Sequence, residues 1–370
     1  AVKQEKTGVE WYSWYLLQAM GRCIPEGWRV RLYIPEVIQN SEFRIQNFET
    51  RVLQWGGRGW THGRLSIEVM LHPPEVLFVP SHTVPLVHPV NTVTTVHDVI
   101  FLSHPELYEP GELAAQKRGL EFALHFAKKI IVPTRAVRDD LVRAGGKDDQ
   151  VVVVPHGVEI HNAPQPPLTL RGGEFGRYIL FIGRIEKKKN VLGLVQAFRN
   201  LIHNPSPDLA SARSPSPFGR GGGEGVLKLV LAGSLGYGSE DVLQAIKTFK
   251  LQDRVIHLGY VNRAYYYALL RDAALLIVPS FGEGFGLPVL EAMAAGVPVV
   301  CSDIPVLREV GGNAVQYVNP KDPENIARGI VTVLDNEMLR SEMVRAGKER
   351  AVEFTWERTA KETWEVIISL

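Results

Sequence analysis

The sequence predicts an α/β protein built from two doubly wound domains, and three observations carry that expectation. Short β-branched runs alternate with helical patterns along nearly all of the 370 residues. Several of the runs are apolar without alternation, as parallel strands covered on both faces must be. A Pro- and Gly-rich stretch divides the alternation in two, and at roughly 100–200 residues per domain the length suits two cores.

In the first half, strands are expected at WRVRLYIP (28–35), VLFVPS (76–81), NTVTTVHDV (91–99), KIIVPT (129–134) and VVVVPHGV (151–158). The first element is a helix over 8–20, in which Val9, Tyr12, Leu16 and Met20 recur at helical spacing. A doubly wound domain ordinarily opens with a strand, so the first strand of this half is expected to be missing. A helix over 112–127 places Leu113, Leu120, Ala123, Leu124 and Ala127 on one face. Continued to 129 it carries Lys117, Arg118, His125, Lys128 and Lys129. That is the pattern of an ordinary solvated face, or of a helix resting on anionic lipid.

The divide is HNAPQPPLTLRGGEFG (161–176), which has little to bury and reads as a linker. Domains are therefore expected over 1–160 and 177–354, with a helix over 355–370. Strands of the second half are expected at RYILFIG (177–183), LKLVLAG (227–233), RVIHLGY (254–260), ALLIVPS (274–280), VPVVCS (297–302) and AVQYVN (314–319). Within it, NPSPDLASARSPSPFGRGGGEG (204–225) is too rich in Pro, Ser and Gly to bury a core, and reads as a disordered insertion.

Composition excludes several classes of function. Lys and Arg number 41 against 40 Asp and Glu, a formal charge of +1, which argues against a protein held on nucleic acid by bulk electrostatics. Cys23 and Cys301 stand far apart, so neither a disulfide framework nor a zinc cluster is expected. No apolar run approaches the roughly 18–20 residues of a membrane span and no leader is read, so a soluble, cytoplasmic protein is the expectation.

The strongest chemical signal is SFGEGFGLPVLEAMAAGVPVV (280–300), which follows an apolar strand and turns helical from about Pro288. Gly282, Gly284 and Gly286 allow backbone amides close to a ligand, and the helix N-terminus adds partial positive charge, a setting suited to phosphate. Glu283 lies in this loop, and Glu291 follows eight residues on, inside the helix. FIGRIEKKKN (181–190) carries Arg184, Lys187, Lys188 and Lys189 just past a strand, where parallel sheets bind ligands. There Arg184 could grip phosphate bidentately, while Lys187 and Lys188 read as solvated charge. TTVHDVIF (94–101) sets His97 and Asp98 at the end of another strand, facing the cleft between domains. LVLAGSLGYGSE (229–240) has glycines after a strand without the GxGxxG order, which leaves an oxidoreductase reading without its fingerprint. Trp11, Tyr12, Trp14 and Tyr15 form an aromatic cluster that either lines a sugar site or belongs to the core.

GRIEKKKN, followed some hundred residues later by PSFGEGFGLPVLEAMAAGVPVVCSDIPVLREV, closely resembles the retaining GT-B glycosyltransferases of family 4. The resemblance runs on through VVVVPHGVE, IIVPTRAVRDDL, VHDVIFLSHPELY and KTGVEWYSWYLL, and so covers almost the whole chain. It implies two Rossmann-like domains, an acceptor-side one first and a nucleotide-sugar-binding one second, with the last helix crossing back to the first.

The resemblance also implies roles. Arg184 and Lys189 would bind the donor diphosphate beside Gly183, and Glu291 the ribose hydroxyls. Glu283 with Gly284, Phe285, Gly286 and Leu287 would meet the donor sugar and phosphate. Gly259, Tyr260 and Val261 would line the base. His97 would approach the donor sugar, so that Glu283, His97, Arg184 and Lys189 are the expected catalytic set. Gly8, Trp11 and Asp98 would stand on the acceptor side.

No metal and no cofactor is implied. A nucleotide diphosphate sugar is the donor, with GDP-mannose the first choice, and the acceptor is a saccharide or lipid-linked hydroxyl in surface-polysaccharide assembly. Contact with the inner face of a membrane goes with such acceptors. Two positions depart from the family pattern: Trp11 stands where many relatives carry Arg, and His156 where Asn is common. A non-catalytic nucleotide-sugar-binding protein is the competing reading, and the intact Arg184, Lys189, Glu283 and Glu291 set argues against it.

Overall fold

The computed structural model describes residues 8–35, 45, 47–55, 59–81, 83–159, 175–203 and 226–370. Residues 161–174 of the expected linker, and all of the expected insertion at 204–225, lie outside the described residues. The chain forms two units: unit 1 is Ala1–Gly157 together with Phe354–Leu370, and unit 2 is Val158–Glu353.

Among the described residues unit 1 contains two parallel sheets. β1 (Val30–Ile34) pairs with β2 (Phe48–Val52), and β3 (Leu77–Val79), β4 (Thr92–Thr95), β5 (Lys129–Val132) and β6 (Val151–Val153) pair in that order. β2 is absent from the sequence expectations, because Phe-Glu-Thr-Arg-Val offers no apolar run. Pairing with β1 is what makes it a strand. The strand expected over 91–99 ends at Thr95, so His97 and Asp98 lie in the following loop rather than on the strand. Val96 N still donates to Ile131 O at 2.9 Å, and the ladder stops there.

The helix Gly8–Arg22 buries Tyr12, Leu16, Ala19 and Met20, the spacing of one helical face, against Trp356, Ala360 and Trp364 of the last helix, Trp356–Ile368. Trp364 Nε1 donates to Met20 O at 3.3 Å, Arg22 pairs with Glu357 at 2.8 Å, and Thr359 Oγ1 donates to Pro155 O at 2.8 Å. The last helix approaches the chain at Gly157 so closely that a Cβ there would stand 2.3 Å from Trp356 N. The helix expected over 112–129 spans Pro110–Phe126, with Pro110 in its first turn, where a missing N–H has no consequence. Lys129 belongs instead to β5, its Nζ on Asp149 O at 2.5 Å. Among the described residues no helix is long and apolar enough to cross a membrane.

Among the described residues unit 2 holds one parallel sheet of β7 (Tyr178–Ile182), β8 (Lys228–Ala232), β9 (Val255–Gly259), β10 (Leu275–Val278), β11 (Val299–Ser302) and β12 (Gln316–Val318). Every residue of β7, β10 and β11 is buried, which explains the unbroken apolar sequence of β7 and β10. The order across the sheet is β12-β11-β10-β7-β8-β9. Counted from the first strand of the unit, this is the 3-2-1-4-5-6 arrangement of doubly wound folds, whose order reverses between β7 and β10. Ligands of such sheets bind at that reversal, beyond the carboxyl ends of the strands.

Candidate active site

The two loops that meet at the reversal carry the sequence-predicted charges. After β7 the chain turns at Gly183, passes Arg184, and makes a 3₁₀ turn over Lys187–Lys189 before Asn190 and the helix Val191–His203. After β10 it runs through Ser280 and Glu283 to Gly286, where the helix Leu287–Ala295 begins. Phe281 N donates to Lys188 O at 2.9 Å, so backbone ties the loops together.

Their side chains join as well. Lys189 Nζ donates to Glu283 Oε1 and Oε2, each at 2.7 Å, and Ser280 Oγ donates to Oε1 at 2.6 Å. A carboxylate accepting three hydrogen bonds from two donor groups on a nearly buried side chain is fixed in orientation, and the pair is electrically neutral. Arg184 differs: it is exposed, with Glu186 Oε2 at 3.9 Å. Lys188 lies 3.6 Å from Glu186, and Lys187 lies over the Tyr237 ring at 4.6 Å.

Asn190 holds the constellation in place. It adopts a left-handed φ of 54°, a conformation that Asn tolerates better than most residues. Its buried Nδ2 donates to Pro279 O at 3.0 Å and Pro320 O at 2.7 Å, linking the loops after β7, β10 and β12. A Cβ at Gly193 would come within 2.4 Å of Asn190 Oδ1.

Glu291 is buried on the Leu287–Ala295 helix, and each of its oxygens has a partner: Arg263 on one and the Tyr266 hydroxyl on the other. The Arg263 guanidinium also stacks over Tyr266 and Tyr267 at 4.7 and 4.5 Å from their ring centres. Burial, and then the charge on Glu291, push the Tyr266 hydroxyl well above its ordinary pKa, so it stays a donor.

The glycines of the site are of two kinds. Gly233, at φ 152°, would put a Cβ 1.9 Å from Gly183 O, and its N–H donates to Gly259 O at 2.8 Å. This contact draws the ends of β7, β8 and β9 together, beside the register shift at Leu231/Ala232. Gly286, at φ 92°, precedes the helix in a conformation that favours glycine, and a Cβ there would stand 2.6 Å from the Leu307 side chain. Gly284, Phe285 and Leu287 follow Glu283 in the same loop and helix start, with Phe285 buried. Tyr260 and Val261 follow β9, Tyr260 exposed and Val261 half-buried.

The remaining sequence-predicted residues lie in unit 1. His97 Nε2 is 3.2 Å from Pro80 O, and its ring meets Tyr12 edge-on at 4.7 Å. Asp98 Oδ1 accepts from Ile100 N at 3.3 Å and from the Tyr108 hydroxyl at 3.5 Å. His156 is buried against Tyr12, Trp356 and His97. Burial, and then the neighbouring His97 charge, hold it well below its ordinary pKa. Of the aromatic cluster, Tyr12 is core, Tyr15 stacks on Trp356 at 5.5 Å, and Trp11 stacks on Tyr15 at 5.6 Å. Gly8 is exposed at the start of its helix.

Arg263, Tyr266 and Ser280 are site neighbours that the sequence reading missed, and Asn190 was read only as a helix start. The signal for them is three-dimensional: Tyr266 and Arg263 reach Glu291 from 25 and 28 residues away.

Comparison with known proteins supplies the family. The family profile described as Glycosyl transferases group 1 matches residues 173–350, and that described as Glycosyltransferase Family 4 matches residues 6–162. O-antigen chain mannosyltransferase B of Escherichia coli is 30% identical over 281 residues, 73% of this chain and 68% of that protein. A D-inositol 3-phosphate glycosyltransferase of Paenarthrobacter aurescens is 29% identical over 76% of this chain and 66% of its own length. Among solved structures, sucrose-phosphate synthase of Thermosynechococcus elongatus aligns over 98% of this chain and 93% of its own, with TM-score 0.74 and 20% identity. HepE of Anabaena, solved with UDP-glucose, aligns over 100% of this chain and 98% of its own, with TM-score 0.73 and 16% identity. These two show the fold. With both profiles in tandem and a relative at 30% identity, the chain belongs to the family 4 glycosyltransferases of the GT-B fold.

Proposed function

We propose that this glycosyltransferase moves a hexose, mannose before others, from a nucleotide diphosphate sugar to a hydroxyl of a saccharide or lipid-linked acceptor. The anomeric configuration is retained, no metal is required, and the product belongs to cell-surface polysaccharide. The observation that carries the reading is the Lys189–Glu283 pair at the point where the sheet order reverses, with exposed Arg184 beside it. Similarity to O-antigen chain mannosyltransferase B supports mannose, with GDP-mannose as the donor to test first.

In this reading the diphosphate lies over the N-terminus of the helix Leu287–Ala295, against Gly183, Arg184 and Lys189. Glu291 takes the ribose hydroxyls, Gly259–Val261 line the base, and Glu283 with Gly284–Gly286 meets the sugar. His97, Asp98, Gly8 and Trp11 are the contributions of unit 1. The bond between the anomeric carbon and the diphosphate oxygen breaks, and negative charge gathers on the leaving group. Arg184, Lys189 and the helix amides stabilise that charge in place of a metal. The acceptor oxygen bonds to the anomeric carbon on the face just vacated, and its proton passes to the departing phosphate oxygen. Glu283 therefore orients Lys189 and the sugar rather than attacking.

A donor screen tests the reading. The protein is incubated with GDP-mannose, UDP-glucose, UDP-galactose and UDP-GlcNAc, reading thermal shift and nucleotide release, with Glu291→Ala as control. Stabilisation and turnover with GDP-mannose, lost in the variant, is the expected result. Turnover with a different donor overturns mannose, and binding without turnover on any acceptor overturns catalysis.

A further inference from the structure

Gly233, Gly236 and Gly238 follow β8 in an order that fits no dinucleotide fingerprint. The structure gives them another use. Past the ends of β7 and β8 the two chains continue side by side. Gly183 N donates to Ala232 O at 3.0 Å, Ile185 N to Ser234 O at 2.9 Å, Gly236 N to Ile185 O at 2.9 Å and Lys187 N to Tyr237 O at 2.9 Å. Ile185 and Leu235 form a parallel bridge between them. The loop that carries Arg184 is thus laid on the loop after β8 as one strand is laid on another. Side chains alternate along such a run, so Ile185 turns into the core while Arg184 and Glu186 share the opposite side.

Gly236 lies against both of these residues. A Cβ added there would stand 2.8 Å from Arg184 Nε, 3.1 Å from Arg184 Cγ and 3.1 Å from Glu186 Cβ. The arm of Arg184 therefore rests along the backbone of Gly236, with no space between them for a methyl group. Glu186, largely buried, has Oε2 at 3.9 Å from Arg184 Nε. That separation attracts the guanidinium but lies beyond hydrogen-bond reach, so Glu186 directs Arg184 without occupying its donors. Lys189 is held differently, by two hydrogen bonds of 2.7 Å to Glu283. An exposed arginine ordinarily loses rotamer freedom when it grips an anion, and one already laid along a glycine loses less.

We propose that Gly236 is a positioning residue for the donor: it is the seat that sets the reach of Arg184 toward the diphosphate, and it acts by having no side chain. This rests on the donor-binding role given to Arg184 under the proposed function. The backbone of Gly236 is not in the left-handed region, unlike that of Gly233 and Gly238, so alanine suits its conformation. An added methyl group meets first the flexible arm of Arg184, and it displaces the guanidinium rather than the fold.

The test is a double-mutant cycle on the full chain: the native protein, Gly236→Ala, Arg184→Ala and the two together. Binding of GDP and, in parallel, of UDP is read by calorimetry, and the thermal midpoint of each form is recorded. Whichever diphosphate binds the native chain is expected to bind Gly236→Ala about tenfold more weakly, the scale of one hydrogen bond to a charged group, with the midpoint unchanged. Once Arg184 is alanine, the same substitution is expected to change binding by less than about twofold. Equal affinity of the native chain and Gly236→Ala overturns the seat and leaves the donor reading standing. An equal loss in both backgrounds also overturns it, because Gly236 then acts otherwise than through Arg184. So does a fallen midpoint with affinity kept, since Gly236 then serves the fold. A native chain that binds neither diphosphate overturns the donor reading, and the seat falls with it.

Discussion

Lys189 Nζ stands equidistant from the two carboxylate oxygens of Glu283, at 2.7 Å from each, and so one ion pair spans the loops on either side of the sheet reversal. A symmetric pair of this kind neutralises both groups and holds each in one rotamer, with Ser280 completing the arrangement. On the proposed function, a diphosphate entering the site draws Lys189 partly off Glu283, and the two residues act as a unit. Lys189→Ala and Glu283→Gln are each expected to lower kcat about 100-fold, the usual loss for one electrostatic stabiliser. The double variant is expected to lose much less than the product of the two. Steady-state kinetics on the three variants checks this, and multiplicative losses would show that the residues work independently.

Glu291 depends on donors from another helix. Tyr266→Phe removes one of its two partners and leaves a buried carboxylate oxygen short of a donor, a change of about 1–3 kcal/mol. The expected outcome is a lower thermal midpoint together with a raised donor KM, with kcat changed less. A shift of midpoint alone, with donor KM unchanged, would mean that Glu291 serves the fold and not the ribose.

Gly233 is a position where no other residue fits. Gly233→Ala would force a Cβ to within 1.9 Å of Gly183 O at a φ of 152°. Both the clash and the backbone conformation act against it, so a loss of about 3 kcal/mol or more is expected. Chemical denaturation measures it. Gly8→Ala, with nothing within 4 Å of the added Cβ, is the control and is expected to leave stability nearly unchanged.

His156 makes unit 1 sensitive to acid. Burial first, and then the His97 charge, depress its pKa well below the ordinary 6.5. The unfolded chain therefore binds a proton near 6.5 that the folded chain refuses. The contribution to stability is complete above that pH and declines as pH falls, by up to about 1.4 kcal/mol per pH unit. Thermal midpoints from pH 7.5 to 5.5 are expected to fall for the native chain, and less steeply for His156→Asn. Parallel curves for the two would place the sensitivity elsewhere.

Much of the fold was legible in the sequence because its strands lie between two layers of helix. Tyr178–Ile182 and Leu275–Val278 have no polar face to vary, and their unbroken apolar runs declare them. Phe48–Val52 was not legible, since Glu49, Thr50 and Arg51 look like surface and only the ladder with β1 makes them a strand. The run over 91–99 was read too long because Val96 and Val99 prolong its apolar look, whereas pairing with β5 ends at Thr95 opposite Ile131. In the candidate site, Glu283, Glu291 and Lys189 were singled out from short glycine-rich and basic motifs and from the resemblance those motifs carry. Arg263 and Tyr266 were not, because their reach to Glu291 arises from how one helix lies beside another.

The return of the helix Trp356–Ile368 to unit 1 sets an order on the chain's assembly. Unit 2 is one unbroken stretch of polypeptide, so it can collapse around its own core as soon as Glu353 has left the ribosome. Unit 1, although it starts first, cannot close over Tyr12 and Leu16 until Trp356, Ala360 and Trp364 have been synthesised. During that interval the apolar side of the Gly8–Arg22 helix stands open, and a chaperone that recognises nascent hydrophobic surface would find it there. Of the two units, the one whose synthesis begins earlier is thus the one completed later.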